Sequence, residues 1–371
     1  MKHSTLLRLG TTLLASAGAC ASQAQTTVVV YGLLDQGVEY VSGVANGAGG
    51  TTHDTRVGAA AWPSRFGVRG SEDLGGGLKA VFTIEQGVNA DVGTTGQGGR
   101  AWGRQALVGL ASRSFGALTF GRQYTARYWA TSDADVFGPA TQGLGALDPG
   151  IPNARADNAV AYRGSFGGLH VDLDYSFGRD AAAGNNLFAT NCPGETSNTK
   201  QCRQWAAALR YEQQGFGAAV AYDVSHGGTA ATWGGLTNPD LTDQRAMVNG
   251  YYRDGDRRVG IGWLQRTNDG NAATPKSDLY WVAAAWPVGT TPFVIDGLVA
   301  KLDYEGSANG ALQTALRGTW RLSKRTSLYL SAARIDNDGQ LNLAVTSQSP
   351  AGAALPGGSQ RSVVAGVTHR F

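Results

Sequence analysis

Residues that could carry out catalysis or bind a cofactor are few in this sequence, and none stands in a recognisable catalytic spacing. Of the five histidines, His3 lies near the N-terminus, and the other four, at positions 53, 170, 226 and 369, are far apart along the chain. Neither a Gly-x-Ser-x-Gly nucleophile elbow nor a His-Glu-x-x-His zinc motif occurs. Glycine pairs such as Gly49-Gly50 precede no strand-to-helix transition that could hold a phosphate. The sequence therefore predicts no enzyme, no catalytic residues and no cofactor.

The N-terminus has the organisation of an export signal. Lys2 and Arg8 precede an apolar run, Leu9–Ala19, and a motif of small residues ends at Ala24. These are the basic, apolar and cleavage regions of a secretory signal peptide. The apolar run is too short for a membrane-spanning helix, which needs about 20 residues. We expect residues 1–24 to be removed and the mature chain to leave the cytoplasm.

The cysteines predict one covalent cross-link outside the cytoplasm. Cys20 lies in the signal, and it is a poor lipoprotein cysteine because Ala17 stands where leucine is usual. Cys192 and Cys202 are close together in a polar stretch. In an oxidising compartment such a pair forms a disulfide that constrains a loop. A metal site is the alternative, but no histidine lies nearby and the spacing is not that of a zinc motif.

The charge of the mature chain is nearly balanced. Removal of the signal leaves 29 basic and 28 acidic residues, because the signal contains two basic residues and no acids. A nucleic-acid-binding protein needs a basic field, which this balance does not provide. We therefore expect no nucleic-acid partner.

Alternation of apolar and polar residues with a period of two recurs from one end of the chain to the other. It is clear in Val171–Phe177, in Trp205–Glu212 and in Leu312–Arg321. Such alternation predicts strands with one apolar and one polar face. A soluble sandwich or barrel, with the apolar face in its core, is one interpretation.

The lengths of the connections favour a different interpretation. About sixteen strands are predicted, the second of them over 57–71, and short connections such as Ser112–Ser114 alternate with mostly longer ones such as 42–56 and 179–202. An even number of strands with this alternation is typical of an all-β, antiparallel, up-and-down barrel that crosses an outer membrane. Residues 25–371 are predicted to form this single domain. The longest connection, about 124–158, carries aromatic and small residues, and we expect it to fold into the lumen and set the pore size.

Four segments carry a resemblance to a known family. They are Tyr31–Asp35, Ser64–Gly75, Gly116–Gln123 and the C-terminal Val367–Phe371. Together they resemble the general porins of Gram-negative bacteria, which are trimeric barrels of sixteen strands. The terminal phenylalanine is similar to the signal that members of this family present to the barrel-insertion machinery. The resemblance runs from Val28 to the C-terminus.

The resemblance implies positions for the residues that line the pore. By position, Arg65, Arg104 and Arg155 match the three wall arginines that face the lumen loop in the family, and Arg69 continues the face of Arg65. On the loop, the family often has a carboxylate directly before Phe-Gly.

Valine occupies that loop position in this chain, as Val136, with Asp133 and Asp135 just upstream. The resemblance therefore implies a constriction of four arginines and two aspartates. Because one carboxylate is replaced, the pore is expected to be weakly anion-selective.

The sequence is thus expected to encode a homotrimeric porin in outer-membrane lipid, which passes small hydrophilic solutes and ions by passive diffusion. An outer-membrane barrel enzyme is an alternative, although no catalytic set can be assembled. A secreted adhesin built as a solenoid is a further alternative, but it would need a repeat of fixed period, and none is present.

Overall fold

The computed structural model describes residues 26–152, 154–179, 192, 194–229, 233–347 and 352–371. The predicted signal, residues 1–24, lies outside the described residues. The strands are β1 (Thr27–Ala45), β2 (Thr51–Gly58), β3 (Arg65–Gly75), β4 (Leu78–Asn89), β5 (Thr94–Thr95), β6 (Gln105–Ser112), β7 (Gly116–Tyr124), β8 (Arg155–Phe166), β9 (Leu169–Ser176), β10 (Gln204–Gln213), β11 (Phe216–His226), β12 (Thr242–Asp254), β13 (Arg257–Asn268), β14 (Lys276–Pro287), β15 (Phe293–Tyr304), β16 (Gly310–Arg321), β17 (Thr326–Asp338) and β18 (Ser359–Arg370). Helical segments are α1 (Gly96–Gly99), α2 (Ala126–Ser132) and two 3-10 turns, Leu144–Ala146 and Trp233–Gly235.

The sheet closes on itself, because β1 pairs with β18 on one side and with β2 and β3 on the other. Each successive pair along the wall is antiparallel, from β3 with β4 to β17 with β18. β2 and β3 share one position in the wall, and the two-residue β5 pairs only with the end of β4. Sixteen wall positions remain, as the sequence predicted. None of the helices in the described part of the chain is long and apolar enough to cross a membrane.

The second wall strand is broken, where the sequence predicted one strand over 57–71. Residues 59–64 leave the ladder between β2 and β3. Asp35 holds this break in place, because its carboxylate accepts hydrogen bonds from the backbone N–H groups of Ala60 (2.8 Å) and Ala61 (3.2 Å). The hydroxyl of Ser64 accepts a bond from the Asp35 N–H (2.9 Å). Pro63 lies inside the break, where it removes no donor from the ladder.

Large apolar side chains point away from the barrel and small or polar ones point inward. On β16, Leu312, Leu316 and Trp320 are exposed, while Gln313 and Arg317 are buried inside. This apolar-out alternation is that of a barrel surrounded by lipid. It excludes the soluble sandwich, whose apolar face would be covered.

The alternation of connection lengths holds less strictly than the sequence predicted. The connection expected over 42–56 shortens to 46–50, because β1 and β2 continue their pairing to Ala45 and Thr51. Asn46 stabilises this tight turn by accepting hydrogen bonds from the N–H groups of Ala48 and Gly50, each at 3.0 Å. Extended strand pairing has therefore replaced a long loop at this end of the barrel.

The C-terminal residue completes the wall. Phe371 exchanges two backbone hydrogen bonds with Gly32, at 3.0 and 3.1 Å. A Cβ atom on Gly32 would lie 2.2 Å from the ring of Phe371, so only glycine fits beneath it. The first and last family-like segments are therefore in direct contact.

Candidate functional site

The segment that connects β7 and β8 folds across the inside of the barrel. It runs from Thr125 to Ala154, slightly shorter than the predicted 124–158, because Tyr124 ends β7 and β8 begins at Arg155. We call residues 125–154 the lumen loop. Its first turns form α2, and most of its described residues are buried.

An apolar core joins the lumen loop to one side of the wall. Loop residues such as Phe137 and Leu144 are fully buried against inward side chains of the wall, such as Leu264, Leu279 and Trp281. Burial of apolar surface contributes about 25 cal/mol per Å², so this contact holds the loop firmly. The lumen loop is therefore a packed part of the fold.

Hydrogen bonds from the wall hold the backbone of the loop. Asn249 on β12 donates to the carbonyl of Ala130 (2.9 Å), and Arg317 on β16 donates to the carbonyl of Phe137 (3.1 Å). The guanidinium of Arg317 also lies 4.4 Å from the centre of the Phe137 ring. These contacts fix the edge of the loop that faces the open part of the lumen.

A buried ion pair holds the second half of the loop. Asp148 accepts two hydrogen bonds from Arg245 on β12, at 2.9 and 3.2 Å. Burial alone would raise the pKa of Asp148, but the charges of Arg245 and Arg266 hold that pKa well below its usual range. Arg127, which is also buried, pairs with Asp223 on β11.

A cavity of about 240 Å³ lies between the lumen loop and the rest of the wall. From the barrel it is lined by Trp62, Arg65, Glu85, Arg104 and Arg258. From the loop it is lined by Tyr128, Ser132, Asp135, Val136, Gly138 and Pro139, among others. Cations of the wall and carboxylates of both the wall and the loop therefore meet at one place in the lumen.

Arg65 and Arg104 differ in how strongly they are held. Arg104 donates to Glu85 (2.6 Å) and to the hydroxyl of Tyr124 (2.6 Å), and it is almost fully buried. The side chain of Arg65 is 24% exposed, donates to the carbonyl of Pro63 (3.2 Å), and lies 3.9 Å from Glu85. Arg65 is thus the more accessible charge of the two.

The other two arginines singled out in the sequence lie around this pair. Arg155 donates to the hydroxyl of Tyr124 (3.0 Å) and lies over the ring of that tyrosine at 4.6 Å. Arg69 is exposed and lies 5.4 Å from the centre of the Tyr31 ring. Tyr31 in turn donates to Glu85 (2.9 Å), so Glu85 links these groups.

The two loop aspartates have different surroundings, although one residue separates them. Asp133 lies 3.4 Å from both Arg210 on β10 and Arg253 on β12, outside the lining of the cavity. Asp135 lines the cavity and accepts a hydrogen bond from the N–H of Gly138 (3.1 Å). Burial raises the pKa of Asp135 to about 7, against the opposing effect of that hydrogen bond and of nearby Arg317 and Arg258.

Sequence reasoning missed two residues of this site, Glu85 and Arg258. Arg258, on β13, is partly exposed in the cavity and makes no hydrogen bond or ion pair with any residue that the structure describes. The alternation of residues along β4 and β13 places both side chains on the inward face, and this could have indicated that they face the lumen. Their meeting with Arg65 could not be predicted, because it depends on where the lumen loop leaves space.

The two cysteines form the predicted disulfide. Cys192 and Cys202 are bonded, with their Cα atoms 5.2 Å apart, in the connection between β9 and β10. No group of three or more potential metal ligands occurs among the described residues.

Comparison with known sequences identifies the family. The family model for Gram-negative porins matches residues 10–340. Outer membrane porin protein 32 of Delftia acidovorans is 31% identical, over 97% of both chains. A major outer membrane protein P.IB of Neisseria meningitidis is 32% identical, over 83% of this chain and 88% of that protein.

Solved structures share the fold. An anion-selective porin from Comamonas acidovorans matches with a TM-score of 0.73 and 24% identity, over 94% of this chain and all of that chain. The trimer form of OmpT from Vibrio cholerae matches with a TM-score of 0.64 and 15% identity, over 93% of this chain and 99% of that chain. With its closed sixteen-position barrel and its packed lumen loop, the chain belongs to the Gram-negative porin family, whose members are outer-membrane channels and not enzymes.

Proposed function

We propose that this porin passes small hydrophilic solutes by diffusion with a preference for anions, and that the cavity beside the lumen loop is its constriction. The observation that carries this proposal is the set of charges around the cavity. Three arginines, Arg65, Arg104 and Arg258, line it, against Glu85 and Asp135. Glu85 is already paired with Arg104 at 2.6 Å. The pKa of Asp135 is raised to about 7, so near neutral pH this carboxyl carries only part of a charge.

The remaining loop positions also favour a positive net charge in the cavity. Val136 brings an apolar side chain to the cavity where the family often has a carboxylate. Asp133 lies outside the cavity, 3.4 Å from Arg210 and from Arg253, which also pair with Asp172 and Glu212. The net charge that a permeating ion meets is therefore positive, and charge that lines a narrow pore sets its selectivity. The solved anion-selective porin from Comamonas acidovorans agrees with this sign.

The test is the zero-current potential across a planar bilayer with a KCl gradient. We expect the wild type to favour chloride, and Arg65→Gln combined with Arg258→Gln to reduce or abolish this preference. Arg104 is left intact, because its removal would strand the buried Glu85. Arg113→Gln, in an exposed turn, is the matched control and should keep the wild-type potential. A cation preference in the wild type, or an unchanged potential in the double variant, would refute the proposal.

We also propose that the protein assembles as a homotrimer in outer-membrane lipid. The support is the family resemblance together with the solved trimer form of a structural relative. Unboiled samples should migrate on a gel as an oligomer that heating converts to a monomer. A monomeric mass by light scattering in mild detergent would contradict the assembly without affecting the channel.

Export through a cleaved signal is the third part of the proposal. The basic, apolar and small-residue regions of residues 1–24 support it. The mass of the protein isolated from outer membranes should correspond to a chain that starts at Gln25. A mass that includes the first 24 residues would refute it.

A further inference from the structure

We propose that the constriction cavity is a binding subsite for small aromatic carboxylates, such as benzoate. The inference rests on the anion preference proposed above and adds a solute class to it. It is drawn from the aromatic rings, the open hydrogen-bond donors and the apolar surfaces that meet in this one cavity.

Two aromatic side chains line the cavity, one from the barrel wall and one from the lumen loop. Trp62 belongs to the break in the second wall strand, and Tyr128 belongs to α2 of the lumen loop. Gly138 leaves space beside the edge of the Trp62 ring, since a Cβ atom at that position would be in van der Waals contact with the ring at 3.6 Å. One face of Tyr128 stacks on Tyr124, with ring centroids 3.9 Å apart. The ring of Trp62 packs against the buried Ala60 and Ala61 and lies 5.3 Å from the guanidinium of Arg370, and both rings remain partly exposed.

Hydrogen-bond donors in the same cavity lack partners. The guanidinium of Arg258 and the hydroxyl of Tyr128 make no hydrogen bond with any residue in the described part of the chain. Arg65 has one hydrogen bond, to a backbone carbonyl, and lies 3.9 Å from its nearest carboxylate. A guanidinium binds a carboxylate through paired, charge-assisted hydrogen bonds. The cavity thus offers two accessible guanidinium groups and a neutral hydroxyl to one anionic group.

The rest of the surface suits an apolar ring. Val136, Pro139, Ile151 and Pro152 line the loop side of the cavity. Its volume of about 240 Å³ is smaller than the roughly 300–1,000 Å³ of pockets that hold drug-sized ligands. A single ring with one carboxylate matches this size and this division into apolar and cationic surface. A polar inorganic anion would use the arginines and leave the rings and prolines without a contact.

Such a site would favour transport of the solute it binds. A pore conducts best when binding is strong enough to attract a solute and weak enough to release it. Contacts between aromatic rings change affinity by about threefold to tenfold. That range gives selectivity among carboxylates without closing the pore.

The experiment measures how organic solutes block the KCl current of the trimeric or monomeric channel in a planar bilayer. Sodium benzoate, sodium cyclohexanecarboxylate and benzyl alcohol are added in separate titrations. Benzoate has both the aromatic ring and the negative charge. Cyclohexanecarboxylate has the charge and a similar size but no aromatic ring, and benzyl alcohol has the aromatic ring but no charge. We expect benzoate to half-block the current at a concentration about threefold to tenfold lower than cyclohexanecarboxylate does, and benzyl alcohol to have little effect.

Single substitutions locate the block. Trp62→Leu should remove the difference in half-blocking concentration between benzoate and cyclohexanecarboxylate. Arg258→Gln should raise the half-blocking concentrations of both carboxylates by the same factor. Trp320→Leu, which changes a tryptophan that faces lipid, is the matched control and should behave as the wild type. Equal block by the two carboxylates in the wild type would overturn the subsite, and this comparison does not depend on any variant folding.

The same channels distinguish the two proposals. A chloride preference in a KCl gradient together with equal block by both carboxylates refutes the aromatic subsite and leaves the anion preference standing. A cation preference together with selective benzoate block refutes the general anion preference and supports the local site. A selective block that persists in Trp62→Leu would also overturn the subsite as assigned.

Discussion

Asp135 should make the ion preference of the pore depend on pH. Its carboxyl lines the cavity that we propose as the constriction, and burial raises its pKa to about 7, above the usual value for an aspartate. At pH 5 about 1% of this group is ionised and at pH 9 about 99%, so one negative charge appears in the cavity across this interval. Protonation at low pH removes that charge. The preference for anions should therefore be strongest below pH 7 and should fall as the pH rises through 7.

The size of the effect follows from the charge that changes. Two unit charges about 10 Å apart at an effective dielectric constant near 20 interact by about 1.7 kcal/mol. Screening at 0.1 M salt, with a Debye length of about 10 Å, reduces this to about 0.6 kcal/mol. The added negative charge raises the free energy of chloride in the cavity and lowers that of potassium by the same amount. The free-energy difference between the two ions therefore changes by about 1.2 kcal/mol. The permeability ratio should then change by about sevenfold between pH 5 and pH 9.

The assay is the zero-current potential in a KCl gradient at a series of pH values, for wild type and Asp135→Asn. The variant should keep an anion preference like that of the wild type at pH 5 throughout the series. All other residues are the same in both channels, so the difference between the two curves reports on Asp135. If the two channels follow the same curve, Asp135 does not govern the change. If the wild type becomes more anion-selective as the pH rises, the sign of the reasoning is wrong.

Three further changes test how the site is held. Asp148→Asn removes the loop partner of the buried Arg245, which keeps its ion pair with Asp243 (3.0 Å), so the cost should be below the roughly 3–5 kcal/mol of a buried charge left unpaired, and single-channel records should show added noise as the loop loosens. Reduction of the Cys192–Cys202 bond should remove about 2–3 kcal/mol locally and leave the barrel folded, as judged by unchanged heat-modifiable migration on a gel. Asp35→Asn removes one acceptor from the strand break and should lower the unfolding temperature, consistent with a loss of about 1–3 kcal/mol. An unchanged melting curve for that variant would show that the break is held by other contacts.

The wall of the barrel could be predicted from the sequence because its signal is local. In Trp205–Glu212, the outward residues Trp205 and Leu209 and the inward Ala206 and Ala208 follow the alternation that lipid and lumen impose. Each strand carries this signal independently of the others. Turns between strands are equally local, so the number of wall positions followed directly.

The break in the second strand could not be predicted in the same way. Its main stabilising contact joins Ser64 to Asp35, which lie 29 residues apart. Each residue alone is an ordinary polar residue near a strand. Only the pairing of β1 with β3 brings Asp35 next to the start of β3, so that its carboxylate can satisfy the backbone donors of residues 60 and 61.

The loop aspartates illustrate the same limit at the functional site. Only one residue separates Asp133 from Asp135 in the sequence, but α2 ends at Ser132 and the chain turns there. Asp133 then meets Arg210 and Arg253, which are 77 and 120 residues away. Asp135 turns toward the cavity, where burial acts on its pKa. The difference between them depends on partners that no local pattern identifies.

The inner wall differs most clearly from what the alternation of apolar and polar residues predicts. This difference accounts for the position of the proposed pore. On β14, the inward residues Leu279, Trp281 and Ala283 are apolar and buried, where a water-filled barrel would have polar ones. They are apolar because the lumen loop covers them, and the loop packs there because its own buried face is apolar. On the constriction that we propose, ions pass through the gap beside Arg65 and Arg258 and not on that side. The packing of the loop therefore decides which charges a permeating solute meets.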